Sequence, residues 1–360
     1  MFKALTKKRV TSVLLAACTV LSFAPFAAFA ATSATETADF TTGGGTAAIR
    51  LLNEFKTDGA ADSTWDNGSK TLTLKGVDFT TSASTGVRLP HGSTVVLADG
   101  TANSFKSGDA TANVNGEHKN AISVTAVDAV GDLTVKGGTA GSGTLTVTSG
   151  SHKNAGDGWT FSSGITVGGN LTFKGGNVTA RGGLAECRGL CLSIGVNMDN
   201  NTKNKALLVT GGSLTAIGGE AYSIDEDGAR SNEEFSRGVY LYRGNVSVSG
   251  DGRLSAQSIP SMAEAGVLSN GLYISVGNLF VANNAEVKVS GAYGAYISGG
   301  EIRLDGGKLT AASTQTESTY GNAIDTEVNS RTGTANAGSI TVNGGTLETE
   351  NGQIYMSTYG

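Results

Sequence analysis

From residue 71 onward one short pattern recurs along the chain: a mostly polar first residue, an apolar one, an outward one, an apolar one, another outward one, then a Gly, Asn or Asp turn. It appears as DLTVKGG from Asp132, NLTFKGG from Asn170, ALLVTGG from Ala206 and NVSVSGD from Asn245. NLFVANN from Asn278, EIRLDGG from Glu301 and SITVNGG from Ser339 continue it. Alternation of period two puts the apolar residues of a strand on one face and the others on the opposite face. Each segment is followed by another short strand, such as Leu214-Thr215-Ala216 or Leu309-Thr310-Ala311, and most are preceded by one of the form Gly-apolar-polar-apolar. Residues 238–256 hold all three strands in immediate succession. A unit of three strands that repeats with tight Gly-rich corners predicts an all-β fold, a parallel β-helix, rather than a two-layer sandwich of hairpins.

The spacing between successive middle strands is 38, 36, 39, 33, 23 and 38 residues. The shortest step fits a bare three-sided coil. The excess falls in polar inserts at residues 218–236 and 313–322, and at 197–205, where repeat proteins place functional loops. Upstream, residues 46–56 carry Ile49, Leu52 and Phe55 on one face after Thr46 as N-cap, which predicts a short amphipathic helix covering the first coil. The expected organisation is a signal peptide over 1–30, a flexible lead-in over 31–45, an N-terminal cap over 46–70 and a β-helix over 71–360. The chain stops soon after the last patterned strand, so either the final coil caps itself or the sequence is a shortened form.

The first thirty residues read as an export signal. Lys3, Lys7, Lys8 and Arg9 precede an apolar run that ends in Ala28-Phe29-Ala30, an A-x-A cleavage pattern. The rival is a lipobox at Leu15-Ala16-Ala17-Cys18, which would leave a lipidated Cys18. Either route places the protein outside the cytoplasm, secreted or on the cell surface, with no membrane span in the mature chain. Removing the four cations leaves 22 basic against 31 acidic residues, a net charge of −9. Such a balance disfavours nucleic acid as a partner. Cys187 and Cys191 remain. A fully extended C-x-x-x-C holds its ends too far apart to bridge, so a disulfide requires a turn between them; a disulfide and two free thiols both stay open.

The alternation also fixes which residues of the first strands point out. Tyr240, Tyr242, Tyr273 and Tyr296 do so, and the spacing of neighbouring coils lines Tyr240, Tyr273 and Tyr296 into a column, with Arg88, Thr166 and Cys191 at its head. Tyr offers sugars a flat apolar face and a hydroxyl; a column of Tyr can equally be a ladder that only stabilises the sheet. The insert SIDEDGARSNEE, residues 223–234, places Asp225, Asp227 and Glu234 at Ca²⁺-loop positions 3, 5 and 12, but with Ser223 at position 1 and no flanking helices. A solvated acidic loop is the alternative. His91, His118 and His152 lack partners at catalytic or metal-binding spacing. Outward Thr172, Thr179, Thr215, Ser247 and Ser255 suggest a hydroxyl face for ice or mineral, which Leu208, Phe280, Arg303 and Lys288 interrupt.

The first-strand pattern at 238–241 and 271–274, the second at 170–176 and 339–345, and the third at 212–216 and 307–311 resemble secreted bacterial β-helix proteins described as carbohydrate-binding domain-containing. The likeness covers about residues 70–355. It implies a right-handed, pectate-lyase-like parallel β-helix that binds acidic plant polysaccharide without demonstrated catalysis, sometimes with calcium. The segments that polygalacturonases of this fold require are missing, and Ile302-Arg303-Leu304 does not supply one. Arg243 and Arg303 are the basic residues nominated for the glycan. The expected function is thus non-catalytic binding of extracellular polysaccharide, with Ca²⁺ as a candidate cofactor. A cell-surface adhesin or structural protein with a protein partner, and a polysaccharide lyase or hydrolase, are the alternatives.

Overall fold

The computed structural model describes residues 33–112, 122–129, 131–154, 159–198, 205–227, 229–233, 235–259, 269–315, 321–327 and 338–356. The segments read as signal peptide, with Cys18, and also His118 and Glu234 lie outside the described residues. The chain is mostly β-strand with one short α-helix, and its sheets are built almost wholly of parallel pairs. No helix among the described residues is long and apolar enough to cross a membrane.

Ten strands form the first sheet in chain order, from Ala38–Asp39 through Thr160–Val167, Cys191–Met198, Phe235–Leu241, Asn270–Ile274, Tyr293–Ser298 and Asn322–Glu327 to Gln353–Met356. The second sheet has two arms. Long strands such as Leu171–Arg181, Lys205–Ile217, Leu279–Gly291 and Glu301–Ser313 run through both, bending where the sequence reads Gly-Gly or Asn-Asn. A third, small sheet takes Ala110–Ala112, His152–Asn154, Ala185–Cys187 and Ala221–Ile224, then Arg230–Glu233 antiparallel. The chain therefore returns to the first and second sheets in turn again and again, laying new strands parallel to the last, and between Ala110 and Glu233 it also passes through the third.

The apolar positions stack in register. Leu133, Leu171, Leu207, Val246, Leu279, Ile302 and Ile340 form one row, and Leu145, Val178, Leu214, Leu254, Val287, Leu309 and Leu347 another. In the first sheet the row is Ile165, Val196, Val239, Leu272, Ala295, Ile324 and Ile354. All but the members of the last circuit and the described edges are buried, in one core enclosed by the sheets.

Corners are held by side chains that serve the next circuit's backbone. Asp132 Oδ1 accepts the Asn170 N–H (2.7 Å), Asn170 Oδ1 the Ala206 N–H (2.8 Å) and Asn278 Oδ1 the Glu301 N–H (2.8 Å). This explains the Asn or Asp that opens four of the middle strands, at Asp132, Asn170, Asn245 and Asn278. Inside the opposite corner Ser162, Ser193 and Ser236 align. Ser193 accepts the Gly219 N–H (2.8 Å) and Ser236 the Ile259 N–H (3.1 Å), satisfying backbone groups that would otherwise be buried without partners.

Two expectations at the N-terminus change. The helix spans Thr46–Glu54 with Gly45, not Thr46, as its N-cap; Gly45 has φ of 74°, which favours glycine there. Ala48 and Leu52 are its buried residues, with Ile49 and Phe55 half-buried at its margin. The segment expected as a flexible lead-in contributes the strand Ala38–Asp39, paired with Val87 and Arg88, because Ala38 and Phe40 fill the near end of the core.

Candidate functional site

The first sheet turns one column of side chains away from the core. By register its rungs include Asp39, Arg88, Thr166, Asn197, Tyr240, Tyr273, Tyr296, Asp325 and Tyr355. Tyr240, Tyr273 and Tyr296 are consecutive, as the alternation predicts, and Arg88 and Thr166 belong to the same column. Cys191 does not. It pairs with Thr160, and Asn197 occupies the rung assigned to it. The cause is a longer strand: Cys191–Met198 begins six residues before the outward rung, on the near side of a glycine bend.

That bend explains the rest of the face. A Cβ on Gly238 would lie 2.4 Å from the Gln257 nitrogen and 2.5 Å from the Gly271 oxygen, so only glycine lets the strand close onto the end of the second sheet. Before the bend a second outward column carries Ser163, Ile194, Arg237, Asn270 and Tyr293. The two columns touch. The Arg237 guanidinium carbon lies 3.9 Å from the Tyr273 ring centre, 4.6 Å from that of Tyr240 and 4.9 Å from that of Phe235. A desolvated guanidinium on three ring faces is a strong cation–π arrangement. Phe161, Leu192, Ile194 and Tyr240 form a buried apolar cluster here, outside the main core, with Tyr242 against it.

The tyrosine rings stack on one another. Tyr240 and Tyr273 are 5.5 Å apart at 48°, and Tyr273 and Tyr296 are 5.0 Å apart and parallel within 4°. Tyr293 meets Tyr296 edge-on at 6.2 Å and 83°. Ring faces within the ladder are therefore largely used by neighbouring rings and by Arg237. The ladder presents edges and hydroxyls, and the face of Tyr296 that is turned away from Tyr273 looks toward the Asp325 rung. Asp325 is buried and its Oδ2 accepts Asn322 Nδ2 at 2.9 Å. Tyr355, on the next rung, is 47% exposed.

The other nominated residues do not join this face as a group. Arg243 sits at the corner after Phe235–Leu241, half-buried, with its carbonyl accepting the Lys205 N–H. Arg303 points outward from the second sheet, in the column of Leu208, Ser247, Phe280 and Thr341, and pairs with Asp305 at 2.8 Å. That partner's hydrogen bond and charge hold the Arg303 pKa above its ordinary value. Thr179, Thr215 and Ser255 do stack, continuing Ser104 and Thr146, but Lys288 interrupts the run before Thr310, and Thr172 belongs to a different column.

In the acidic insert the chain makes a hairpin, Ala221–Ile224 against Arg230–Glu233. Asp225 Oδ1 accepts the N–H groups of Asp227 (3.0 Å) and Ala229 (2.8 Å), so this carboxylate closes the turn. Among the described residues no group of three or more His, Cys, Asp or Glu side chains converges as a metal site. Cys187 and Cys191 are disulfide-bonded with Cα atoms 5.8 Å apart; Arg188, Gly189 and Leu190 turn the corner between the third and first sheets. His91 Nδ1 accepts the Asp132 N–H at 3.0 Å, a corner role, and His152 is buried with Nδ1 3.3 Å from the Phe161 oxygen.

Sequence reading missed Tyr355 and Asp325 as rungs, because an insert separates them from Tyr296, and it missed Arg237, which precedes the first-strand pattern. It also passed over Trp159, which is 54% exposed and leans on Phe161 at 6.4 Å. No family model, no curated protein and no solved structure matches the chain.

Proposed function

We propose that the parallel sheets are the sides of a single-stranded, right-handed β-helix, exported from the cell, whose first sheet binds extracellular polysaccharide without catalysis. The observation that carries this reading is the outward tyrosine ladder at Tyr240, Tyr273 and Tyr296, with Tyr355 two rungs further on. A strand's outer face has no need of large aromatics to build the core. Tyr places a rigid apolar body and a hydroxyl together, which suits the C–H patches and hydroxyls of sugars at small entropic cost. The rungs repeat at about 4.8 Å, so an extended glycan can meet successive hydroxyls along the axis. Ca²⁺ enters as a variable of the experiment.

A polysaccharide array probed with and without Ca²⁺ tests the reading. Substituting both Tyr273 and Tyr296 with Ala should weaken retention of the bound glycan about tenfold, two aromatic contacts of roughly 1 kcal/mol each being lost at most. The melting transition checks that the variant remains folded. Retention unchanged in the folded double variant, or no glycan retained by the parent protein, overturns the proposal; capture of a protein instead would favour an adhesin.

A further inference from the structure

The near end of the first sheet carries an unpaired edge. Ala38–Asp39 is the terminal strand of that sheet. The Ala34 and Phe40 N–H groups donate to the Thr80 and Arg88 carbonyls at 2.8 and 2.9 Å, the Ala34 carbonyl accepts the Ser82 N–H at 2.8 Å, and the Glu36 carbonyl accepts the Thr81 hydroxyl at 2.8 Å. In a parallel pair alternate residues serve one neighbour. The backbone groups of Thr35, Thr37 and Asp39 therefore fall on the opposite edge, where no described strand pairs. The turn at Gly43–Gly45 returns the chain as the helix Thr46–Glu54, and strand and helix become two walls of one open cleft of about 570 Å³. That volume falls within the roughly 300–1,000 Å³ usual for ligand sites.

The buried Ala34 and Ala48 and the half-buried Leu51 and Phe55 supply its apolar lining. Its charged side chains are three carboxylates, Glu36, Asp39 and Glu54, against one guanidinium, Arg50. Asp39 is engaged by Arg88 at 3.6 Å and by the Thr41 N–H at 2.8 Å. Glu36 and Glu54 are exposed and make no ion pair among the described residues.

We infer that this cleft takes an extended basic peptide of a partner protein as an added strand. The peptide backbone pairs with the free edge at Thr35, Thr37 and Asp39, apolar side chains meet Leu51 and Phe55, and Lys or Arg side chains meet Glu36 and Glu54. Edge addition draws affinity from main-chain hydrogen bonds and selectivity from alternate side chains. Charge complementarity selects a basic peptide over an acidic one. A second copy of this chain is the poorer occupant, because its open last circuit carries Glu348 and Glu350 and would bring like charge to the cleft. The cleft lies five strands from Tyr240 in sheet order, so the inference stands apart from the glycan reading.

The test is selection of linear dodecapeptides from a random library on the immobilised whole protein. Enriched peptides should carry Lys or Arg at alternate positions. One of them, made synthetically with a fluorescent label, is then titrated by anisotropy. The double variant Glu36→Gln with Glu54→Gln should weaken its binding about fivefold, and added salt should weaken binding to the parent. Both residues are exposed, and a thermal melt checks that the variant folds. N-methylation of every second peptide amide should weaken binding about tenfold or more in one phase and change it little in the other, since only alternate amides face the edge. Enriched peptides without basic residues, or binding indifferent to the two carboxylates, overturns the inference. Equal effects of the two methylation phases overturn strand addition, and self-association of the protein with no peptide enriched assigns the cleft to a second copy instead.

Discussion

Asp99 shows how single side chains hold the corners. Its carboxylate accepts the Ala140 N–H at 2.8 Å and the Ser142 N–H at 3.2 Å, joining one circuit to the next. The Ala140 bond is the largest of the effects that hold its pKa below the ordinary 3.8. Asp66 and Asp305 are lowered in the same way, by the Ser69 hydroxyl and by Asn343 with Arg303. A carboxylate whose folded value is depressed stabilises the fold fully above its unfolded pKa, and that contribution disappears as the pH falls through the folded value. Stability should therefore decline as the pH drops below about 4, and Asp99→Asn should flatten part of that decline while lowering stability at neutral pH. Urea midpoints measured across the acid range decide it; an unchanged pH profile in the variant would mean the carboxylate contributes nothing. Asp99 was not singled out in the sequence, since its partners lie about forty residues away and one acidic residue in a turn carries no pattern.

At the scale of the strand, the glycine bend decides where outward residues fall. Gly164, Gly195, Gly238 and Gly271 each face backbone of the second sheet so closely that an added Cβ would sit under 3 Å from it. Gly238→Ala should cost roughly 2–4 kcal/mol, since backbone on both sides must move. Gly68→Ala, where the nearest atom is a side-chain oxygen at 3.4 Å, should change stability by about 0.5 kcal/mol or less. Equal midpoints for the two variants in chemical denaturation would refute the close-approach argument. The same bend explains what could be read in advance. Past it, period-two alternation is strict, so Val239, Tyr240 and Leu241 were assignable to faces from the sequence. Before it the alternation is interrupted, which is why Cys191 was placed on the wrong rung and Arg237 escaped notice. Tyr355 was hidden differently, because the register of its strand is set by pairing with Asn322–Glu327 across an insert whose length no local pattern constrains.

Across the whole molecule, the stacking of circuits makes the cost of a substitution depend on its place along the axis. Each circuit touches mainly its neighbours, so stability is close to a sum of terms for circuits and the interfaces between them. Near the start of the described chain the helix residues Ala48 and Leu52 cover the core. In the last described circuit the core positions are open: Val342 is 48% and Ile354 42% exposed, whereas Leu304 and Ile324, their partners one circuit earlier, are fully buried. A charge at the open positions stays in water and a charge at the closed ones must be desolvated without a partner. Ile354→Lys should accordingly shift the denaturation midpoint by the equivalent of about 1 kcal/mol or less, while Ile324→Lys should abolish the cooperative transition or cost more than about 4 kcal/mol. The two residues occupy the same register position on adjacent strands, so side-chain chemistry and strand propensity are held constant and only coverage differs. Comparable losses in the two variants would mean that the far end is covered in solution, and the last circuit would then have to be treated as part of an interface.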